Sequence, residues 1–279
     1  MILITTAGKV GSEAARLLGE RRVPVRVLVR NPEKAAALAQ AGVEVFKGDL
    51  EIPATIDAAM QGVSTVVLVS PAVPAQELNV IDRAVRAGAG QVAKITSKAS
   101  MDSPIARRRG QAQIEKRLIG SGIGYTLLRN NAYMQNLMAP AIAKTSSFGT
   151  STGDSRIGHV DARDVGAVAA EIAASPAPHA GKTYWPTGPE VLSCRDVAAV
   201  LSRVLGTKIT FHPLTFEEQK QAMIDDGLPE TVAEDNAKAL GLFAEGDADY
   251  VTDDVPAIEQ FATDYAAAFS RSQSNTGKR

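Results

Sequence analysis

What most constrains this chain is the strict alternation, from Ile2 to Arg129, of short apolar β-branched runs with helical patterns. Ile2-Leu3-Ile4-Thr5, Val25–Val29, Val43–Phe46, Thr65–Val69, Gln91–Thr96 and Tyr125–Arg129 read as six strands. Thr65–Val69 is continuous in apolar residues, as a parallel strand covered on both faces is. Helices are predicted over Val10–Gly19, from Asn31-Pro32 to Gly42, over Pro53–Met60 and Glu77–Ala87, and from Ser103-Pro104 to Ile119. Asn caps a helix, Pro suits its first turn and Gly ends it. Such alternation with short connections forces a parallel sheet with right-handed crossovers. The expected fold class is therefore α/β, a Rossmann-type doubly wound parallel sheet.

The second half is less regular. A helix is predicted over Asp161–Ala174, where Asp161 is most simply the N-cap, and a short strand over Lys182–Trp185. Helices over Cys194–Leu205, Phe216–Asp226 and Pro229–Leu242 suggest a smaller, mostly helical C-terminal lobe. The expected division is 1–185 for the dinucleotide-binding domain and 186–270 for a substrate-covering lobe, with contributions from about 131–158. The polar residues 271–279 are expected to be a disordered tail.

Charge and cysteine content exclude several functions. Thirty Lys and Arg against 31 Asp and Glu leave a net charge of -1, so no basic field calls for nucleic acid or an anionic membrane. Arg107-Arg108-Arg109 is the one dense basic run, read as a solvated loop or helix start rather than a phosphate site. One cysteine, Cys194, rules out an intrachain disulfide, and three scattered histidines give no metal-ligand spacing, so no metal is expected. No apolar run approaches the ~18 residues of a membrane span, and no signal peptide opens the chain. A cytoplasmic protein is expected, monomeric or homodimeric.

The first strand runs into Thr5-Thr6-Ala7-Gly8-Lys9-Val10-Gly11, and a helix follows at once. This arrangement aims backbone N–H groups and a positive helix end at a pyrophosphate. Thr6, Gly8, Lys9, Val10 and Gly11 are the candidate phosphate-side residues, Gly8 for close backbone approach and Gly11 for helix–strand packing. Thr5 stands where a G-x-x-G-x-x-G pattern has its first glycine. At the end of the second strand, where an acid would read the 2′-hydroxyl of NAD, stands Arg30. An arginine there would fork around a 2′-phosphate, with Lys9 and Lys34 adding charge, so NADPH is the expected cofactor. Otherwise Arg30 is a solvated strand-end charge. Gly48-Asp49-Leu50 ends the third strand, where Asp49 would meet the adenine or cap the next helix. Ser70-Pro71 and Thr96-Ser97 end the fourth and fifth strands and would flank the ribose and nicotinamide.

These pieces, with Val29-Arg30-Asn31-Pro32-Glu33-Lys34, Gly124–Asn130, Asp161-Ala162-Arg163-Asp164-Val165, Gly181–Tyr184 and Val255–Phe269, resemble the NmrA-like family of atypical short-chain dehydrogenases/reductases. Within it, the Leu128-Arg129-Asn130-Asn131-Ala132-Tyr133 pattern and the element at Phe216-Glu217-Glu218 are similar to bacterial NADPH quinone reductases and triphenylmethane-dye reductases. The resemblance implies that Asn130 to Asn136 line the nicotinamide and substrate pocket. That makes Asn130 and Asn131 cofactor contacts, and Tyr133 and Asn136 substrate contacts. Tyr133 reads equally well as a core aromatic on a helix face.

Most short-chain dehydrogenases protonate their product with a Tyr-x-x-x-Lys pair. Here those places hold Gln111 and Glu115. Gln111 would donate to a substrate carbonyl or stand inert on the helix surface. Gln111, Asn130 and Tyr133 are the only candidates for a catalytic role. Without the acid, the chemistry expected is hydride delivery to a small aromatic quinone-like acceptor, whose reduction needs little protein acid. The alternatives are a non-catalytic NAD(P)-binding redox sensor, or a tailoring step on a polycyclic aromatic beside a partner oxygenase. Trp185, Pro186 and Phe243 would cover a flat substrate or form the core of the smaller lobe.

Overall fold

A computed structural model describes residues 1–71, 73–137, 140–243 and 258–266. The expected tail at 271–279 and both ends of Val255–Phe269 lie outside them. In chain order the elements begin β1 (Ile2–Ile4), α1 (Lys9–Glu20), β2 (Val25–Val29), α2 (Ala36–Gln40), β3 (Glu44–Lys47) and α3 (Pro53–Ala59). There follow β4 (Thr65–Leu68), α4 (Pro74–Ala87), β5 (Gln91–Thr96), α5 (Ala106–Ile119), β6 (Gly124–Arg129), α6 (Pro140–Thr145), β7 (Ser147–Thr150) and β8 (Arg156–Ile157). The chain continues through α7 (Ala162–Ala174), β9 (Lys182–Tyr184), β10 (Leu192–Ser193), α8 (Cys194–Leu205), β11 (Thr210–Pro213), α9 (Phe216–Asp225), α10 (Glu230–Phe243) and α11 (Ile258–Asp264). They form two compact units, 1–130 with 162–186, and 131–161 with the residues from 187 on.

The first unit is a seven-stranded sheet in the order β3-β2-β1-β4-β5-β6-β9. Every neighbouring pair is parallel. The chain builds outward from β1 through β2 to β3, then returns to β4 on the other side. The order therefore reverses between β1 and β4, and the carboxyl ends of those strands form the crevice where open α/β sheets receive ligands. One face of the sheet carries a core of Leu3, Val66, Leu68, Ile81, Ile114 and Leu118. On α1 and α7 close approach is bought with glycine: a Cβ on Gly166 would lie 2.8 Å from the Glu13 Cβ and 3.0 Å from the Val10 carbonyl.

The second unit is less helical than its sequence suggests. β7 pairs with β11 in parallel and β8 with β10 antiparallel. None of these four short strands carries an alternating pattern long enough to signal itself. Phe148 on β7 meets Phe211 on β11 with ring centroids 5.5 Å apart. The α8 helix starts on a capping box in which Ser193 and Asp196 each satisfy the other's backbone N–H, and α9 does the same with Thr215 and Glu218. Met134, Val197, Leu201, Ile209 and Ala262 fill the core of this unit.

Other expectations shift in detail. The helix after β5 starts at Ala106, because Ser103 and Pro104 form a turn in which Ser103 Oγ accepts the Ile105 N–H at 3.2 Å. The basic run is not a uniformly solvated start: Arg108 is buried, and Arg109 donates to the Ser103 carbonyl at 2.6 Å.

Candidate functional site

The turn between β1 and α1 has the shape that its glycines require. A Cβ on Gly11 would lie 1.9 Å from the Thr6 carbonyl oxygen and 3.2 Å from Ile4, so only glycine lets this helix sit on this strand. Gly8 is different. It is the N-cap of α1, and a Cβ there would meet only Thr6 Oγ1, at 3.9 Å. No side chain caps α1 and no acid lies in its first turn. Its first intrahelical bond runs from the Ser12 N–H to the Gly8 carbonyl at 2.8 Å. An uncapped twelve-residue helix with an exposed glycine at its start can receive an anion.

Thr5 explains why the glycine pattern is incomplete. Its side chain is fully buried, and its hydroxyl donates to the Val69 carbonyl at 2.6 Å while accepting the Val69 N–H at 2.9 Å. With the Thr5 N–H on the Val67 carbonyl at 3.1 Å, this extends the β1–β4 ladder past both strands, at the point where the strand order reverses. Thr6 donates to the same Val69 carbonyl at 3.0 Å. The sequence shows Thr5 as a strand end in the place of a glycine, and its bond to Val69 appears only in the fold.

Arg30 and Lys34 both project into solvent after β2. Neither side chain takes part in an ion pair or hydrogen bond among the described residues. Asn31 Oδ1 accepts the Glu33 N–H at 3.1 Å and orders the turn that carries them. Asp49 Oδ1 accepts the Glu51 N–H at 2.9 Å, and the Asp49 N–H donates to Thr55 Oγ1, so Asp49 serves at least as a local turn cap. Gly48 and Leu50 are buried, Leu50 as part of the core.

At the ends of β4, β5 and β6 lie two polar networks. Ser70 donates to Glu77 Oε1 at 2.6 Å, and Glu77 pairs with Lys94, both out of solvent. Pro71 is exposed and Ser97 half-buried. In the second network Thr96 Oγ1 lies 3.0 Å from Gln111 Oε1 and 3.0 Å from Glu115 Oε1. Glu115 in turn holds Arg129, whose guanidinium lies over the ring of Trp185. Gln111 is thus not an inert surface residue: it is 3% exposed and turned toward the sheet. Trp185 and Pro186 are not core of the second unit either. Both belong to the first, where Trp185 is exposed.

Asn130, buried, closes the first segment of this unit, and its N–H donates to the Thr96 carbonyl at 3.2 Å. The remaining predicted residues belong to the second unit. Asn131 is buried, with its Oδ1 on the Ala132 N–H. Tyr133 is half-buried and forms an isolated parallel bridge with Val160, so it is not on a helix face. Asn136 is exposed in the short 3-10 turn Met134–Leu137. Gln135 donates to the fully buried Asp161 Oδ1 at 2.6 Å. Phe243, half-buried, ends α10. His159, which was given no role from sequence, is buried in this unit, and desolvation pushes its pKa down to about 4. Among the described residues no three His, Cys, Asp or Glu side chains gather, and no helix is long and apolar enough to cross a membrane.

The model of the NmrA-like family matches residues 1–270. The NAD(P)H azoreductase of Xenophilus azovorans is 35% identical over 286 aligned positions, 96% of this chain and 99% of that one. A solved NADPH-dependent quinone oxidoreductase of Escherichia coli, complexed with NADPH, superposes with a TM-score of 0.82 at 29% identity, covering 95% of this chain and 99% of the other. The Citrobacter sp. triphenylmethane reductase complexed with NADP(H) gives a TM-score of 0.82 at 26% identity, covering 95% and 100%.

Proposed function

The chain belongs to the NmrA-like family, and from that premise we propose that it is an NAD(P)H-dependent reductase that uses NADPH to reduce a small quinone-like, conjugated acceptor. The observation that carries the cofactor half is the open, uncapped start of α1 at Gly8 with Arg30 and Lys34 exposed beyond β2, neither paired among the described residues. A dinucleotide carrying a 2′-phosphate fits these groups: N–H donors at the helix start for the pyrophosphate, and two exposed cations for the extra phosphate. Thr6, Lys9, Val10, Gly11, Gly48, Asp49 and Leu50 complete the cradle in this reading. Ser70, Pro71, Thr96, Ser97, Asn130 and Asn131 stand toward the nicotinamide.

When bound, NADPH supplies the hydride. The chain's own part is to hold an acceptor against it and keep water out. Tyr133, Asn136, Trp185 and Phe243 are the proposed substrate contacts. No tyrosine–lysine pair offers a tuned acid. Gln111 and Glu115, which take its helix places, are both engaged with Thr96. An acceptor that delocalises the incoming charge and takes its proton from solvent suits such a site. The relatives are named for azo, quinone and triphenylmethane acceptors, all conjugated, which supports this reading. A tailoring reduction of a polycyclic aromatic quinone, supplied by an oxygenase in the cytoplasm, is the physiological setting we favour.

The test is NADPH oxidation with a panel of quinones, azo dyes and triphenylmethane dyes, followed by loss of nicotinamide absorbance. Turnover of one class with NADPH preferred over NADH is the expected result. Tight NADPH binding with no turnover of any acceptor would sink the reductase reading and leave the redox sensor.

A further inference from the structure

The carboxyl ends of β6 and β9 lie side by side, with Leu128 paired to Tyr184. The next residue on each strand is Arg129 and Trp185, and the Arg129 Cζ sits 5.2 Å from the indole centroid. Arg129 is held from behind. It donates through Nε to Glu115 Oε1 at 3.2 Å and through Nη2 to Oε2. A guanidinium gripped by both oxygens of one carboxylate has its plane fixed, and a ring stacked on that plane loses rotational freedom. Glu115 is itself 3% exposed and fixed to Thr96, next to Gln111. The chain of contacts therefore runs from α5 and β5 through β6 to one indole, which remains 38% exposed.

Stability does not require this arrangement. Apolar side chains at Gln111, Glu115 and Arg129 would hold α5 on the sheet at least as well as a mostly buried ion pair. What the network does achieve is a rigid, solvent-facing aromatic plate at the end of the sheet that receives ligands in open α/β folds. We propose that Trp185, braced by Arg129 and Glu115, is the stacking platform for the acceptor, and that it selects flat acceptors of two or more fused or conjugated rings over single rings. The proposal rests on the reductase reading above and deepens it. Dispersion between stacked rings grows with their overlap, and a bicyclic acceptor matches the indole where a single ring covers half of it. Glu115 and Arg129 are positioning residues. The helix place where Tyr-x-x-x-Lys enzymes keep their lysine here holds a carboxylate that orients a binding surface.

Trp185 is the sole tryptophan, so its emission reports on this platform alone. Steady-state kinetics at saturating NADPH compare a naphthoquinone with a benzoquinone. Trp185→Ala should raise the KM ratio of the two about tenfold, with the change carried by KM rather than kcat, and Trp185→Phe should restore most of it. Arg129→Met and Glu115→Gln should shift the same ratio in the same direction by about threefold, and move the indole emission to longer wavelength as the ring loses its partner. A Trp185→Ala ratio equal to that of the wild type, in an enzyme that still turns over, overturns the platform and leaves the reductase standing. If the wild type turns over neither quinone, saturable quenching of Trp185 emission by the naphthoquinone still supports the platform while the reductase reading fails. Absence of quenching then removes both.

Discussion

Lys94, in the middle of β5, and Glu77, on α4, form an ion pair at 2.8 Å with neither side chain reaching solvent. The carboxylate also accepts from Ser70, and the ammonium also donates to the Ile95 carbonyl. Both charges are therefore hydrogen-bonded, which is what burial of an ion pair requires. Removing one partner strands the other. Lys94→Met is expected to cost about 3–5 kcal/mol in urea unfolding, whereas Lys94→Met with Glu77→Met, which leaves no buried charge, should recover most of the loss. Equal losses in the single and the double variant would show that packing, not the charge, sets the cost.

The two glycines of the first turn should separate folding from binding. Gly11→Ala places a methyl 1.9 Å from the Thr6 carbonyl. Such overpacking against backbone is expected to cost about 1–3 kcal/mol and lower the melting temperature whether or not cofactor is present. Gly8→Ala meets nothing closer than 3.9 Å within the chain, and Gly8 has φ -82°, a conformation open to any residue. Its melting temperature without cofactor should stay at the wild-type value while NADPH affinity falls about tenfold, because the methyl intrudes on the space proposed for the pyrophosphate. Calorimetric titration beside thermal unfolding checks both. A Gly8→Ala protein that binds NADPH normally would move the phosphate away from this turn.

The proposed role of Arg30 is to distinguish the two nicotinamide cofactors. An exposed guanidinium with no partner among the described residues costs the fold little when removed. Arg30→Ala is expected to weaken NADPH by about 10–100-fold, in keeping with the loss of a charge-assisted fork on phosphate. NADH affinity should change little, so the selectivity collapses without any loss of stability. Parallel loss of both cofactors would mean that Arg30 does not read the 2′-phosphate.

Much of the first unit was readable because its signals are local. β2 and β5 fall on their predicted residues, since short runs rich in β-branched residues and bounded by turns need no partner to be recognised. Gly42, at φ +85°, follows α2 where the sequence places the end of that helix. The unread features all depend on residues distant in sequence. Thr5 makes sense only once Val69 lies beside it, and Lys94 only with Glu77. Gln111 seemed a surface residue because α5 is weakly amphipathic, its inward face being partly polar: Gln111 and Glu115 point at Thr96 rather than at an apolar core. The two-residue strands β8 and β10 exist through pairing with each other, with no pattern of their own.

His159 gives the second unit a built-in sensitivity to acid. It is buried, lining a small cavity with Met134, Ile157, Pro189, Glu190 and Leu192, and desolvation lowers its pKa from 6.5 to about 4 despite a hydrogen bond to the Ile157 backbone. Between those values the unfolded chain carries a proton on this imidazole and the folded chain does not. Stability that is fully present above pH 6.5 is therefore lost as pH falls toward 4, and levels off below. The slope approaches about 1.4 kcal/mol per pH unit, which makes about 2 kcal/mol between pH 6.5 and 5. Urea unfolding across that window should show this loss in the wild type. His159→Gln, titrated alongside, should be flatter by the same amount, the comparison cancelling every other group that titrates there. Parallel curves would mean that the imidazole takes up its proton in the folded protein, through an opening of the Ile157–His159 segment.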